Sequence, residues 1–211
     1  HTAFFFFFAK EHKVFFKEVS LRQLDRLCSG HQGVALLLES HFSFQISDVE
    51  MWVQEAQKRK KALFLVALDG VQDPQNLGSI FRSAWLLGAK GLIIPSSKGA
   101  SLSPTVYKVS SGGTEHVPVL ITENLSQVLN HLKELGFWVY GMDPSGSLSL
   151  WDMDVAELSV WVLGAEDKGL RPGTKKACDE LVFIPQTHKD ASFNVSIAAA
   201  FCMEKAAMRK L

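Results

Sequence analysis

Leu63-Phe-Leu-Val-Ala-Leu68 is an unbroken apolar run, too short for a buried helix and without the polar alternation of a half-exposed strand. Such a run suits a parallel sheet covered on both faces, so helices must flank it. The pattern recurs. Gly91-Leu-Ile-Ile94, Val117-Pro-Val-Leu120, Phe137-Trp-Val-Tyr140, Ser159-Val-Trp-Val-Leu163 and Leu181-Val-Phe-Ile184 each read as strands. Helical periodicity runs from about Leu77 to Leu87, where Gly88 closes it, and again over Pro104 to Ser110, Asn124 to Leu135 and the Ala-rich stretch Phe193 to Met208. This alternation predicts an α/β fold, a mainly parallel sheet flanked by helices.

Composition bounds what such a fold can do. Apolar residues make up 47% and charged residues 21%, enough to bury a core and inconsistent with a largely disordered chain. Lys plus Arg and Asp plus Glu number 22 each, so no basic coat for non-specific DNA binding is present, although a local basic patch stays possible. Cys28, Cys178 and Cys202 have no metal-ligand spacing, which suggests a reducing compartment and no disulfide framework. No apolar run approaches the roughly 18 residues a membrane span needs. The apolar start lacks a basic flank or a cleavage site. These features predict a soluble, cytoplasmic protein.

The first forty residues read as part of something larger. The phenylalanines of Phe4 to Phe8 fit neither helical nor strand periodicity cleanly, and the simplest expectation is a buried helix or strand. Val14-Phe-Phe16 reads as a short strand. Ser20 caps a predicted helix to Cys28, and Gly30 to Gly33 turn the chain into a second apolar stretch, Val34 to Leu38. This helix–strand tail is too small to bury its own core. The expected organisation is an N-terminal domain ending near residue 42, a polar linker over 43–61 with a short helix at Ser47 to Lys58, and a main domain over 62–211. The cluster Lys58 to Lys61 is a solvated face or a contact for RNA phosphates.

In open α/β sheets ligands bind at the carboxyl ends of strands. Three loops there carry more Gly, Asn, Pro and charge than connection requires. Asp69-Gly-Val-Gln-Asp-Pro-Gln-Asn-Leu-Gly78 runs into Arg82, which falls in the second turn of the following helix; alone, Asn76 reads equally as a helix cap and Arg82 as a surface cation. Leu163-Gly-Ala-Glu-Asp-Lys-Gly-Leu-Arg171 lets backbone approach a ligand and offers Glu166 as an acceptor, or is an ordinary Gly-rich turn. Ile184-Pro-Gln-Thr-His-Lys-Asp-Ala-Ser-Phe-Asn-Val-Ser196 sets Ser192 and Asn194 at a helix start, as ligand contacts or simply caps. Neither GxGxxG nor GxxxxGK[ST] occurs, which disfavours a nicotinamide site and a P-loop.

Taken together, the three segments resemble the motifs of the SpoU (TrmH) family, RNA ribose 2′-O-methyltransferases of the SPOUT superfamily. They match in order, spacing and position from about residue 61 onward. Gly112-Gly-Thr-Glu-His-Val-Pro118 is similar to a further family segment, and Leu24 to Gly33 resembles the end of the ribosomal-protein-like RNA-binding domain that precedes many catalytic domains. The nearest likeness is to bacterial enzymes that methylate a guanosine ribose in large-subunit (23S) ribosomal RNA. The resemblance implies a C-terminal deep trefoil knot, an exception to the rule against threading. It also implies S-adenosylmethionine (SAM) bound in the knot, a homodimer formed through it, RNA rather than DNA as substrate, and no metal. Gly164, Ile184 and Phe193 are then expected to line the cofactor pocket, with Leu163, Gly169, Pro185, Thr114 and Gly141 as further cofactor neighbours.

The catalytic set implied by the resemblance is Arg82, Asn76, Glu166, Ser192 and Asn194. A ribose 2′-hydroxyl is a weak nucleophile, so in-line placement and removal of its proton are the demands to meet. The family assigns Arg82 to activating that hydroxyl. An arginine is always protonated, so it suits binding a phosphate or stabilising the alkoxide better than acting as a base. Glu166 is a possible ion-pair partner for it. Asp167 stands where the family usually has Gly, and Phe193 where Leu is common. His188 reads as an exposed loop residue. Lys98, Lys108, Lys168 and Arg171, with Arg82, are candidate phosphate contacts. Competing readings are a transfer-RNA methyltransferase, a catalytically silent RNA-binding or ribosome-assembly factor of the same fold, and a SAM enzyme of Rossmann type.

Overall fold

The computed structural model describes residues 2–28, 30–97, 99–188 and 191–208. The chain divides into two compact units, residues 1–40 and 41–211. The smaller unit holds helices α1 (Thr2–Glu11) and α2 (Leu21–Leu27). The phenylalanines of α1 are helical but not buried, being 36 to 68% exposed. In α2 the Ser20 N–H donates to Gln23 Oε1 at 2.9 Å, capping the helix as its sequence predicts. The expected strands at Val14–Phe16 and Val34–Leu38 do not form: both stretches lack a ladder, and Leu36 and Leu37 lie open to solvent. A strand needs a neighbour to satisfy its backbone, and among the described residues this unit supplies none.

The larger unit runs α3 (Ile46–Arg59), β1 (Leu63–Asp69), α4 (Pro74–Leu87), β2 (Leu92–Pro95), α5 (Pro104–Ser110), α6 (Gly113–His116), β3 (Val119–Thr122), α7 (Leu125–Glu134), β4 (Trp138–Met142), β5 (Leu148–Ser149), β6 (Leu158–Gly164), α8 (Pro172–Ala177), β7 (Glu180–Phe183) and α9 (Val195–Met208). The strands form one parallel sheet in the order β3-β2-β1-β6-β4-β7-β5. Strand β3 begins two residues later than predicted because Pro118 has no N–H to give the ladder.

β1, inside the sheet between β2 and β6, shows why both faces must be covered. Phe64, Val66 and Leu68 point to one side, where α4 and α9 pack through Leu77, Ile80, Phe81, Ala199, Cys202 and Met203. Leu63, Leu65 and Ala67 point to the other, against Val49, Val53 and Ala56 of α3 and Leu125, Leu129 and Leu132 of α7. A large side chain buried this way contributes about 1.5–3 kcal/mol. Residues 43–61, expected as a linker, therefore supply a core helix. Phe44 lies where a side chain at Gly91 would sit, its ring 2.7 Å from that Cβ position. Lys58 to Lys61 stay exposed at the end of α3.

The first motif also folds earlier than predicted. Pro74 takes the first helical position of α4 and the Asp73 carboxylate accepts from the Gln75 N–H at 2.9 Å, so Asn76 lies inside the first turn and Arg82 in the third. Gly88 closes α4 at φ +76°, as read from sequence. Among the described residues no helix is long and apolar enough to cross a membrane.

Candidate functional site

The neighbouring strands β6, β4 and β7 end on one side of the sheet, and the loops leaving them enclose a cleft of about 710 Å³. This is the position where an open α/β sheet binds ligands, and the size is typical of a small-molecule site.

The loop after β6 is a closed turn. The Ala165 N–H donates to the Gly169 carbonyl at 3.1 Å and the Gly169 N–H returns to the Ala165 carbonyl at 2.8 Å, leaving Glu166, Asp167 and Lys168 at the tip. Gly169 needs its φ of +61°. Gly164 is required by space, because a Cβ there would overlap the backbone of Gly169 and Leu170. Asp167 does not enter the left-handed region, so replacing the family's usual Gly carries no backbone strain.

Behind this loop lies a buried anchor. Asp69, at the end of β1, accepts from the Arg171 N–H at 2.8 Å and pairs with the Arg171 guanidinium through Nε and Nη2. Arg171, a candidate phosphate contact by sequence, thus holds the loop through Asp69, with its side chain 41% exposed. Sequence reading did not single out Asp69. Its signal was a charged residue ending an otherwise apolar strand.

The three motifs meet in one chain of hydrogen bonds. The Asn194 amide donates to Asn76 Oδ1 at 3.0 Å, and the Asn76 amide donates to Glu166 Oε1. Asn194 Oδ1 accepts from the Ser196 N–H at 2.9 Å, capping α9. Asn194 therefore both caps a helix and ties it to the site. Both polar ends of Asn76 are used, one on Asn194 and the other on Glu166.

The loop after β4 forms the remaining wall. Asp143 Oδ1 accepts from the Ser145 N–H at 2.8 Å and from its hydroxyl at 2.6 Å, and Lys175 of α8 pairs with Oδ2 at 2.8 Å. Burial pushes the Asp143 carboxyl up, but the hydrogen bonds from Lys175 and Ser145 and the Lys175 charge outweigh it and hold it below the ordinary carboxylate range. Gly146 packs against β7 where a Cβ would lie 2.5 Å from the Leu181 carbonyl oxygen. Asp143, Pro144 and Gly146 were missed by sequence reading, although Asp-Pro-Ser-Gly after a strand is a turn signal.

Of the predicted cofactor neighbours, Leu163, Gly164, Gly169, Ile184, Pro185 and Phe193 line the cleft, as do Glu166, Lys168 and Ser192. Thr114 and Gly141 stand apart from it. Thr114 is buried in α6 with its hydroxyl 3.1 Å from that of Ser110. Gly141 lies inside β4, where a Cβ would meet Cys178 Sγ at 2.7 Å, so packing explains that glycine. Arg82 is exposed on α4, outside the cleft lining. Glu166, offered by sequence as one possible partner for Arg82, accepts from Asn76 instead, and no Arg82–Glu166 ion pair occurs among the described residues. Lys108 is exposed on α5; Lys98 lies outside the described residues, as do Lys189 and Asp190 beside His188. No cluster of metal-ligating side chains occurs among the described residues.

A parallel α/β sheet with a largely apolar cleft at the carboxyl ends of adjacent strands defines a small-molecule-binding protein of the doubly wound kind. The chain belongs to the SpoU rRNA methylase family, whose model matches residues 63–204. It is 37% identical over 83% of its length to an uncharacterised tRNA/rRNA methyltransferase of Synechocystis, slr0955, of which it spans 45%. It is 35% identical over 92% of its length to YacO of Bacillus subtilis, assigned to the TrmH family of tRNA/rRNA methyltransferases, of which it spans 78%. The SpoU methyltransferase AviRb of Streptomyces viridochromogenes, solved with AdoMet, superposes with TM-score 0.66 at 26% identity, covering 71% of this chain and 61% of AviRb. A solved RNA 2′-O ribose methyltransferase superposes with TM-score 0.62 at 30% identity, covering 71% of this chain and 57% of that one.

Proposed function

We propose that this chain transfers a methyl group from S-adenosylmethionine to a ribose 2′-hydroxyl of RNA, and that the target is a guanosine of 23S ribosomal RNA. The observation that carries the reading is the hydrogen-bonded chain Asn194–Asn76–Glu166, which joins all three motifs at the rim of the cleft. AviRb with its AdoMet and the 2′-O ribose methyltransferase neighbour support the cofactor and the acceptor.

The cleft suits the cofactor. Leu163, Ile184 and Phe193 offer an apolar wall for adenine, while Glu166, Asp167 and Lys168 at the loop tip suit the charged amino-acid end. When bound, SAM supplies an electrophilic methyl group carried on a sulfonium. The protein's part is placement and charge. Asn76 and Asn194 hold Glu166 in orientation, and Ser192 lines the cleft from the loop just before α9. Arg82, permanently protonated and without an ion pair among the described residues, binds a substrate phosphate and stabilises the oxyanion that develops as the hydroxyl proton leaves. β7 follows β5 in sequence yet lies between β4 and β5, a crossover that supports the knotted C-terminus, and the homodimer is carried over from the family resemblance. Residues 1–42 are read as belonging to an RNA-substrate-binding domain.

The test is calorimetric titration of SAM beside an Asn194→Ala control, followed by transfer of labelled methyl to ribosomal and to transfer RNA. SAM binding weakened by the control, with 2′-O-methylguanosine in digested 23S RNA, is the expected result. Label only in transfer RNA would move the substrate, and a folded chain that binds SAM without transfer would favour the silent-factor reading.

A further inference from the structure

Two exposed rings stand next to Arg82 and belong to no part of the cleft. The Trp85 indole and the His116 imidazole are stacked with centroids 4.2 Å apart and planes 7° from parallel. Trp85 lies three residues after Arg82, so the two side chains are neighbours on one face of α4. Trp85 remains 40% exposed, and His116 and Arg82 are exposed as well.

The pair is built by its surroundings. Gly112 turns the chain at φ +100° with its Cβ position 3.6 Å from the indole, space that a flat ring can occupy. Gly113 then brings α6 onto the backbone of α4, where a Cβ would lie 2.7 Å from the Phe81 carbonyl and 2.8 Å from the Arg82 nitrogen. Two consecutive glycines thus set His116 on Trp85, one turn from a cation that has no ion pair among the described residues.

We infer that the Trp85–His116 pair is a stacking platform for an RNA base, with Arg82 on the adjoining phosphate. The inference rests on the methyltransferase reading and extends it to how the strand is held. Aromatic faces beside a free cation are what single-stranded RNA requires, since every base offers a π-face and every link a negative charge. Trp85 lies three residues from Arg82, about 4.5 Å along the axis of α4, so the stacked base adjoins the nucleotide that Arg82 contacts. Leu86, 68% exposed beside it, makes a second copy of this chain the competing occupant. The unpaired cation next to the rings favours the nucleotide.

The experiment compares the wild-type chain with Trp85→Ala, Trp85→Phe and His116→Ala on a mixed-sequence single-stranded 12-mer RNA and on an abasic 12-mer with the same phosphates. SAM affinity and sedimentation are measured alongside. Trp85→Ala is expected to weaken RNA binding by about 5- to 150-fold, as loss of one stacked base does. His116→Ala should weaken it less, Trp85→Phe should restore most of it, and abasic binding and SAM affinity should not move. Equal losses on both RNAs, unchanged RNA affinity, or dissociation of a dimer at unchanged RNA affinity would each overturn the platform. Failure of the wild-type chain to bind RNA while binding SAM would overturn the platform and leave the cofactor site standing. Lost SAM binding with base-dependent RNA affinity intact would sink the methyltransferase reading instead.

Discussion

Removing the Asp69 carboxylate should destabilise the larger unit and loosen the cleft together. Asp69 is 1% exposed and its side chain fully enclosed, while it serves the backbone N–H and the guanidinium of Arg171 across 102 positions of sequence. Breaking a fully buried ion pair costs about 3–5 kcal/mol. The Arg171 side chain is 41% exposed, so the orphaned guanidinium can be rehydrated. The unsatisfied N–H adds about 1–3 kcal/mol, and the net expectation for Asp69→Ala is about 2–3 kcal/mol. At about 2–4 °C per kcal/mol for a chain of this size, Tm falls by about 4–12 °C. Urea unfolding of Asp69→Ala, Arg171→Ala and the double variant should give a coupling of about 1–2 kcal/mol, because the second loss has nothing left to break. SAM affinity should fall with it, since the Gly164–Gly169 turn is tied back through Arg171. Additive losses within about 0.5 kcal/mol would refute the reasoning.

Gly164→Ala should collapse SAM binding and cost about 1–3 kcal/mol by overpacking, whereas Gly169→Ala, open in space but at φ +61°, should cost about 1–2 kcal/mol from backbone strain alone; thermal melts with SAM titration separate the two. Asn194→Ala should remove about 1 kcal/mol of capping and free Asn76, visible as lower stability combined with weaker cofactor binding. Burial, reinforced by the Asp179 charge, pushes the Cys178 thiol up to about 12, and burial drives Cys202 up as well. A thiol reagent at pH 8 should therefore label Cys28 alone in the native chain and all three cysteines in denaturant. The Asp143 carboxyl titrates below its unfolded value near 3.9, so its stabilisation is complete above that pH and fades as pH falls through the lowered native value. Asp143→Asn should flatten the stability curve below about pH 4, and an unchanged acid limb would show that Lys175 and Ser145 do not hold it.

The main domain was readable because its signals are local. Apolar runs such as Leu63–Leu68 demand cover on both faces, and Gly88 and Asn124 mark the helix ends where they were expected. What failed locally had a local cause. The first turn of α4 looked like a loop because Pro74 follows Asp73, a pairing that also opens a helix. Val34–Leu38 looked like a strand because apolar content alone cannot supply the partner that a ladder needs. α6 and β5 are too short for periodicity to reveal.

The site divided along the same line. By itself the sequence determined which loops carry the family's motifs, since their residues, order and spacing match it over the main domain. Only the tertiary structure decided what each residue does there. Glu166 goes to Asn76 rather than Arg82, Arg171 pairs with Asp69, and Trp85 meets His116 across two glycines. Each of these contacts joins positions 31 to 102 residues apart, as sequence separations such as 76 to 166, 69 to 171 and 85 to 116 show. A pattern along the chain records where backbone can turn and which faces are apolar. Which side chains come within 3 Å of one another depends on how the packed sheet brings strand ends together.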